Sequence, residues 1–425
     1  MHRPKVVILG GGFGGLNVAK ALRHAPVDVT LIDKSNHHVF QPLLYQVATA
    51  TLSPSDIAVP IRHILRKQKN CEVRLGCVSG LDLAHQKVCL DDGSFVNYDF
   101  LVIATGATHS YFGHPNWEKL ARGLKSIDDA TFIRGEVLAA LEYAERATDV
   151  EEQRKWMRFL IVGAGPTGVE LAGAFSELAH RVIEREFRHI TPDMLKLVLI
   201  EAGPRVLPAF AEDLSERARQ DLVRLKVDVC LNTMVKSIDP EGVDTNAGRI
   251  EGRTVIWAAG VQASPVAKWL KSEADKAGRV PVDGHLRWEG SENVYVIGDA
   301  ACAMGPHGPL PGLAAVASQQ GSYVGKEIAA CVLGSGQTKP FSYWDKGTLA
   351  AIGRSRAIAE FGRYKLAGFL AWLAWLFIHI MLLVGFRNKV SVFLEWAYDY
   401  ITWDHGPWLI TLPDGSKQHP HDLKN

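Results

Sequence analysis

Apolar residues recur along the chain in short runs that stop at glycine. The run at residues 6–9, Val-Val-Ile-Leu, is followed by Gly10-Gly11-Gly12-Phe13-Gly14-Gly15, and the same arrangement returns at residues 160–162 before Gly163-Ala164-Gly165-Pro166-Thr167-Gly168. A short apolar run bounded by glycine predicts a buried strand, a tight turn and then a helix, and its recurrence predicts two folds of one type. Each copy continues into a second apolar run ending in an acid, residues 29–33 closing on Asp33 and residues 197–201 closing on Glu201. Each then reaches a third run that enters a glycine turn, residues 100–104 before Thr105-Gly106 and residues 254–258 before Ala259-Gly260. Strand, crossover helix and parallel strand make the βαβ unit. The expected class is α/β, with two Rossmann-like dinucleotide-binding domains and a C-terminal helical segment.

In a turn with this spacing the first glycine permits the bend, the second lets a pyrophosphate approach the backbone, and the third lets the helix pack on the strand. Gly10, Gly12 and Gly15 fit, as do Gly163, Gly165 and Gly168. One such turn is a weak signal; two, each after a strand and each with a downstream acid, are a strong one. Asp33 and Glu201 taken singly read equally well as solvated charges at strand ends. In register with the glycines they stand where a carboxylate accepts from adenosine ribose hydroxyls and repels a 2′-phosphate, which predicts NADH over NADPH at the second turn. Glu170 lies two residues beyond Gly168, at the start of a helix whose positive end favours an acid. Spacing alone leaves open whether it is a helix-terminus acid or a carboxylate beside a redox ring.

The strand at residues 293–299 is expected to return to the first sheet, so that the second fold is an insertion in the first. The expected partition is 1–112 with 281–340, then 113–280, then a C-terminal region at 341–425. Lys plus Arg number 47 against 46 for Asp plus Glu, so no overall field recruits nucleic acid. The cysteines, Cys71, Cys77, Cys89, Cys230, Cys302 and Cys331, form no C-x-x-C pair and no zinc-ligand spacing, which argues against a dithiol relay and a metal and for small buried side chains in a reducing compartment. The first strand follows Met1 almost at once, so the chain is expected to start folded in the cytoplasm, without a leader.

Beyond about residue 341 the composition changes: six of the eleven tryptophans lie there, Trp344, Trp372, Trp375, Trp396, Trp403 and Trp408. Residues 366–386 hold no Asp, Glu, Lys or Arg, a length that could cross a bilayer. Ala367, Ala371 and Ala374 form a small-residue stripe suited to close packing on protein. The next segment puts Ser391, Glu395, Asp399 and Thr402 on one helical face and Val392, Phe393, Trp396, Tyr400 and Ile401 on the others. Arg354, Arg356, Arg363, Lys365, Arg387 and Lys389 flank the apolar stretch, where anionic headgroups would lie. A monotopic anchor is favoured; a membrane span, a dimer interface and a lid docked on the globule stay open.

Together these residues resemble the two-dinucleotide-binding flavoprotein superfamily and, more narrowly, the type II NADH:quinone oxidoreductases, the single-chain, non-pumping NADH dehydrogenases. The narrower likeness rests on His38-Val39-Phe40-Gln41-Pro42-Leu43-Leu44-Tyr45-Gln46-Val47-Ala48, on Glu170 within residues 163–173, and on Gly298-Asp299. It rests also on Pro309-Leu310-Pro311 leading to Gln319-Gln320-Gly321, and on the apolar tail. The resemblance implies non-covalent FAD held by Gly10, Gly12, Phe13, Gly14, Gly15, Asp33, Lys34, Gln41, Val78, Ala104, Thr105, Gly106 and Asp299. It implies NADH held by Gly163, Gly165, Pro166, Thr167, Gly168, Glu170, Glu201, Ala259 and Gly260. A membrane quinone would meet Gln41, Leu43, Tyr45, Ala315 and Gln319, with residues 41–46 on one wall, and Glu170, Gln319 and Gln320 would be the catalytic residues.

The implied reaction passes hydride from NADH to the flavin and electrons on to the quinone, without proton pumping. The implied setting is the cytoplasmic face of a bacterial inner membrane, where a peripheral, monotopic homodimer would lie on the bilayer surface. One departure stands out: Ala314-Ala315 occupies the place where many members read Ala-Gln, so a polar quinone-orienting side chain is lost. Two rivals share the turns. One is a sulfide:quinone or ferredoxin-type reductase, for which Cys302 is the cysteine nearest the flavin; the other is a membrane-attached nucleotide-binding regulator without turnover.

Overall fold

Strand Lys5–Leu9 buries both of its faces. Val6 and Ile8 join one cluster with Leu16, Val18 and Val29, and Val7 and Leu9 join another with Leu101, Ile103 and Val294. Alternation between two cores requires a sheet covered on both sides, the parallel arrangement. In the computed structural model, which describes residues 3–336, 338–402 and 409–410, this strand is the middle of five parallel ones. Their order is Val294–Val296, Phe100–Ile103, Lys5–Leu9, Asp28–Asp33, Cys71–Leu75. The strand Val294–Val296 thus returns to the first sheet.

The chain divides into two units, Met1–Val39 with Ala58–His109 and Val261–Asp345, and Phe40–Ile57 with Ser110–Gly260 and Lys346–Asn425. Residues 261–280, read with the second fold from sequence, lie in the first unit. Val261–Ala263 pairs antiparallel with Ala107–His109, and Val266 and Leu270, four apart on one short helix, bury their shared apolar side beside Val7 and Leu101. On the other face of the sheet, helix Phe13–Ala21 lies against helix Ala314–Val332. A Cβ on Gly321 would sit 2.2 Å from the Gly14 carbonyl oxygen, and one on Gly325 would sit 2.5 Å from the Ala21 Cβ. The glycine after the paired glutamines is therefore a packing residue.

The second unit repeats the plan, with five parallel strands ordered Ala121–Gly123, Thr254–Trp257, Arg158–Val162, Lys196–Ile200, Val227–Cys230. Leu160 and Val162 point into a core with Val198, Ile200 and Trp257. The tail belongs to this unit and opens with an antiparallel sheet of Thr348–Gly353, Arg356–Phe361 and Tyr364–Gly368.

The apolar stretch at 366–386 is not one helix. Leu366 and Ala367 end the last of these strands, and helix Phe369–Leu382 has 14 residues, about 21 Å at 1.5 Å per residue, against a hydrocarbon layer of about 30 Å. Gly368 and Gly385, at φ +77° and +90°, break the chain on either side. Among the described residues no helix is long and apolar enough to cross a membrane. Ala367 therefore leaves the expected stripe, while Ala371 is fully buried against protein.

Helix Phe386–Thr402 departs from a simple polar-out arrangement. Val392 and Trp396 are buried while Phe393, Leu394 and Ile401 are exposed. Part of the polar strip turns inward because it finds partners there: Ser391 Oγ donates to Asp56 Oδ1 at 2.8 Å, and Asn388 donates to the Ser55 and Asp56 carbonyls. Trp403 and Trp408 lie outside the described residues.

Candidate functional site

The two glycine turns are near copies. Gly10 and Gly163 stand at φ +101° and +102°, a region closed to other residues without strain, and each backs onto the third strand of its fold: their Cβ positions fall 2.3 Å from Ala104 O and 2.4 Å from Ala259 Cα. Gly15 and Gly168 seal the turn, since their Cβ positions fall 1.8 and 1.9 Å from the carbonyl oxygens of Gly10 and Gly163. Gly12 and Gly165 differ, because a Cβ there meets nothing within 4 Å. Both are the N-cap residues of their helices and offer no side-chain cap. Open space in front of uncapped N–H groups suits a pyrophosphate, so the residues present fit a dinucleotide at each turn.

The acids are pinned to these turns in the same way. Asp33 accepts from Gly11 N at 2.5 Å and Ser35 N at 2.7 Å; Glu201 accepts from Ala164 N and Gly203 N, both at 2.7 Å. Each carboxylate is oriented beside its turn with lone pairs to spare for ribose hydroxyls. Lys34 is exposed next to Asp33, and Pro166 and Thr167 are exposed at the start of helix Pro166–Glu186. Val78 is half-buried and packs on the core of the first unit. Thr105 Oγ1 meets Ser264 Oγ at 2.6 Å, and Ser264 N donates to Gly106 O. The ring of Phe112 lies against Gly260, whose Cβ would sit 2.7 Å from its Cζ.

The paired glutamines part company. Gln320 is 1% exposed, and its Oε1 accepts from Gly298 N at 2.6 Å, so it braces the turn that carries Asp299. Gln319 forms two hydrogen bonds with the Trp344 backbone, Nε2 to O at 2.9 Å and N to Oε1 at 3.0 Å. Ala315 lies half-buried in the first turn of helix Ala314–Val332. Burial raises the pKa of Cys302, which opposes the thiolate that sulfur chemistry requires.

In the second unit, Glu170 lines a cavity of about 110 Å³ together with Tyr45, Gln46, Trp375, Trp396 and Tyr400. Burial pushes its carboxyl up to about 8, against which the Ala351 N–H, 3.3 Å from Oε1, and the Trp375 indole act only in part. Trp396 Nε1 donates to Gln46 Oε1 at 2.7 Å, and Gln46 Nε2 donates to Tyr45 Oη at 3.1 Å. With both ends of the Gln46 amide fixed, the Tyr45 oxygen accepts at that side and its proton points elsewhere. Burial, then the charge of Glu170, raises the Tyr45 hydroxyl well above the usual range. Leu43 is a fully buried core residue, and Gln41 is exposed, with Nε2 3.5 Å from Lys125 O. Sequence reasoning missed Trp375, Trp396 and Arg354 as walls of this cavity, since no spacing ties them to Glu170.

Residues 4–321 match the pyridine nucleotide-disulphide oxidoreductase family, and residues 345–402 match the NDH2 C-terminal domain. The type II NADH:quinone oxidoreductase NdhA of Mycobacterium tuberculosis is 44% identical, covering 96% of this chain and 90% of its own; Ndh of the same organism is 43% identical, covering 96% and 91%. The solved structure of NDH2 from Plasmodium falciparum in complex with NADH shares the fold at a TM-score of 0.87 and 22% identity, covering 96% of this chain and all of that one. The repeated turns, the acids pinned to them and the likeness along nearly the whole length converge: the chain belongs to the pyridine nucleotide-disulphide oxidoreductases and, within them, to the type II NADH:quinone oxidoreductases.

Proposed function

We propose that the protein oxidises NADH and passes two electrons through non-covalent FAD to a membrane quinone, without pumping protons. The observation that carries this reading is the pair of superposable dinucleotide turns in one chain that lacks any C-x-x-C dithiol. When bound, FAD supplies the carrier that takes a hydride from a nicotinamide and releases electrons to a quinone. The turn Gly10 to Gly15 with Asp33 holds the FAD pyrophosphate and ribose, and Asp299, braced by Gln320, meets the ribityl chain. The turn Gly163 to Gly168 with Glu201 holds NADH. The FAD domain is 1–112 with 281–340, and the NADH domain is 113–280.

Glu170 is a neutral acid at pH 7 because burial holds its carboxyl at about 8. We assign it, with the Tyr45 hydroxyl, to hydrogen-bond and proton donation toward the quinone oxygens. Tail attachment follows from large apolar side chains left exposed on two successive helices, among them Phe369, Leu370, Phe377, Phe386, Phe393 and Ile401. Such a face suits a bilayer surface, and we place the enzyme there as a peripheral homodimer on the cytoplasmic side.

Anaerobic NADH will bleach the flavin of the purified protein, and a soluble ubiquinone or menaquinone analogue will restore its absorbance. Phe377→Glu with Phe393→Glu will abolish sedimentation with liposomes and leave that soluble-quinone reaction intact. Reduction without reoxidation by any quinone would move the assignment to another acceptor or to a regulator without turnover. At the second turn, Glu201→Ala will lower the preference for NADH over NADPH by about tenfold, roughly one charge-assisted contact. Equal use of the two nucleotides by the wild type would refute the ribose argument.

A further inference from the structure

The two turns differ at one atom. In the second, the N–H of Ala164 goes to Glu201 and its carbonyl is capped by the backbone N–H of Leu207 at 2.8 Å. In the first, the N–H of Gly11 goes to Asp33 in the same way, but its carbonyl is met by a side chain, His38 Nδ1 at 3.1 Å. His38 is 3% exposed and stands edge-on to Phe13, ring centroids 4.9 Å apart, where Phe13 opens the helix of that turn. A carbonyl only accepts, so Nδ1 carries the ring proton, and Nε2 of the neutral ring is a bare acceptor. Burial, the largest influence, keeps the ring neutral by lowering its pKa to about 4.

Nε2 is buried and has no hydrogen-bond partner. An unpaired buried acceptor is rare in a native protein and is normally met by a ligand or an ordered water. The Gly11 peptide groups tie this nitrogen to Asp33, so the spare acceptor belongs to the first turn and has no counterpart in the second. A phosphate has no proton to offer it, whereas the adenosine half of a dinucleotide has hydroxyl and amino donors.

We propose that His38 Nε2 accepts a hydrogen bond from the adenosine half of FAD, from a ribose hydroxyl or the adenine amino group, and so fixes the cofactor at the first turn. The proposal rests on the reading that this turn binds FAD. His38→Asn can keep a donor near the Gly11 carbonyl and removes the second nitrogen. The holoenzyme of this variant will release FAD about tenfold faster on dilution, read by the rise of flavin fluorescence, with the affinity for NADH unchanged. In wild-type holoenzyme labelled with nitrogen-15 histidine, the Nε2 resonance will show a hydrogen-bonded, unprotonated nitrogen.

Exchange with flavin hypoxanthine dinucleotide separates the two donors. If the effect of the substitution disappears, the adenine amino group is the donor; if it persists, a ribose hydroxyl is. An unchanged FAD release rate, or a resonance typical of an unbonded nitrogen, overturns the assignment. A hydrogen-bonded resonance with unchanged FAD release gives the partner as water and overturns it equally. A protein that neither carries nor takes up flavin refutes the FAD reading itself.

Discussion

Gly168→Ala will give a yellow protein that NADH no longer reduces, whereas Gly15→Ala will give a protein that loses its FAD. The new Cβ would lie 1.9 Å from the Gly163 oxygen in one case and 1.8 Å from the Gly10 oxygen in the other. A Cβ has no rotamer to escape by, so the helix must retreat by about 1.5 Å to reach ordinary contact. The same turn supplies the N–H groups that hold a pyrophosphate, and each lost charge-assisted bond is worth about 1.5–3 kcal/mol. A weakening of about 100-fold or more follows at each site. Flavin-to-protein absorbance of the isolated variants and an NADH titration of flavin bleaching measure the two effects. Bleaching of Gly168→Ala at wild-type NADH concentrations would sink the assignment of that turn.

Glu170→Gln will slow reoxidation of the reduced flavin by quinone by about 10- to 100-fold, the lower range of general acid catalysis, and leave flavin reduction by NADH unchanged. Stopped-flow measurement of the two half-reactions separates them. Equal quinone rates in the two proteins would reduce Glu170 to a packing residue. The same substitution alters stability with a definite sign. The carboxyl titrates near 4.5 when unfolded and at about 8 when folded, so its contribution is fully present below 4.5 and is lost as pH rises through 8. Between those limits wild-type stability will fall relative to Glu170→Gln by about 1.4 kcal/mol per pH unit. Denaturant titrations of both proteins at pH 5.5, 6.5 and 7.5 test the slope, and parallel curves would contradict it.

The turns were legible in the sequence because local rules decide them. Gly10 and Gly163 need a positive φ, Gly15 and Gly168 need close contact, and strands buried on both faces read as continuous apolar runs. The cavity around Glu170 was not legible, because Trp375 and Trp396 lie more than 200 positions away and only the folded tail brings them there. Gln319 and Gln320 look like one motif, yet consecutive helical residues point about 100° apart. One therefore turns in to Gly298 and the other reaches Trp344. His38 gave no signal of its own, since a buried histidine with satisfied nitrogens looks the same in sequence. The apolar count over 366–386 concealed Gly368, which ends a strand and starts a helix within that stretch.

The bond from Trp396 to Gln46 makes the C-terminal helix a wall of the chamber in which Glu170 is kept dry. A chain cut before residue 386 exposes that carboxyl to water, drops its affinity for a proton back toward that of a surface glutamate, and frees the Tyr45 hydroxyl from its fixed orientation. Truncation thus erases an acid at the reaction chamber along with a contact to lipid, and the activity of shortened forms reports on solvent entry as much as on where the enzyme sits.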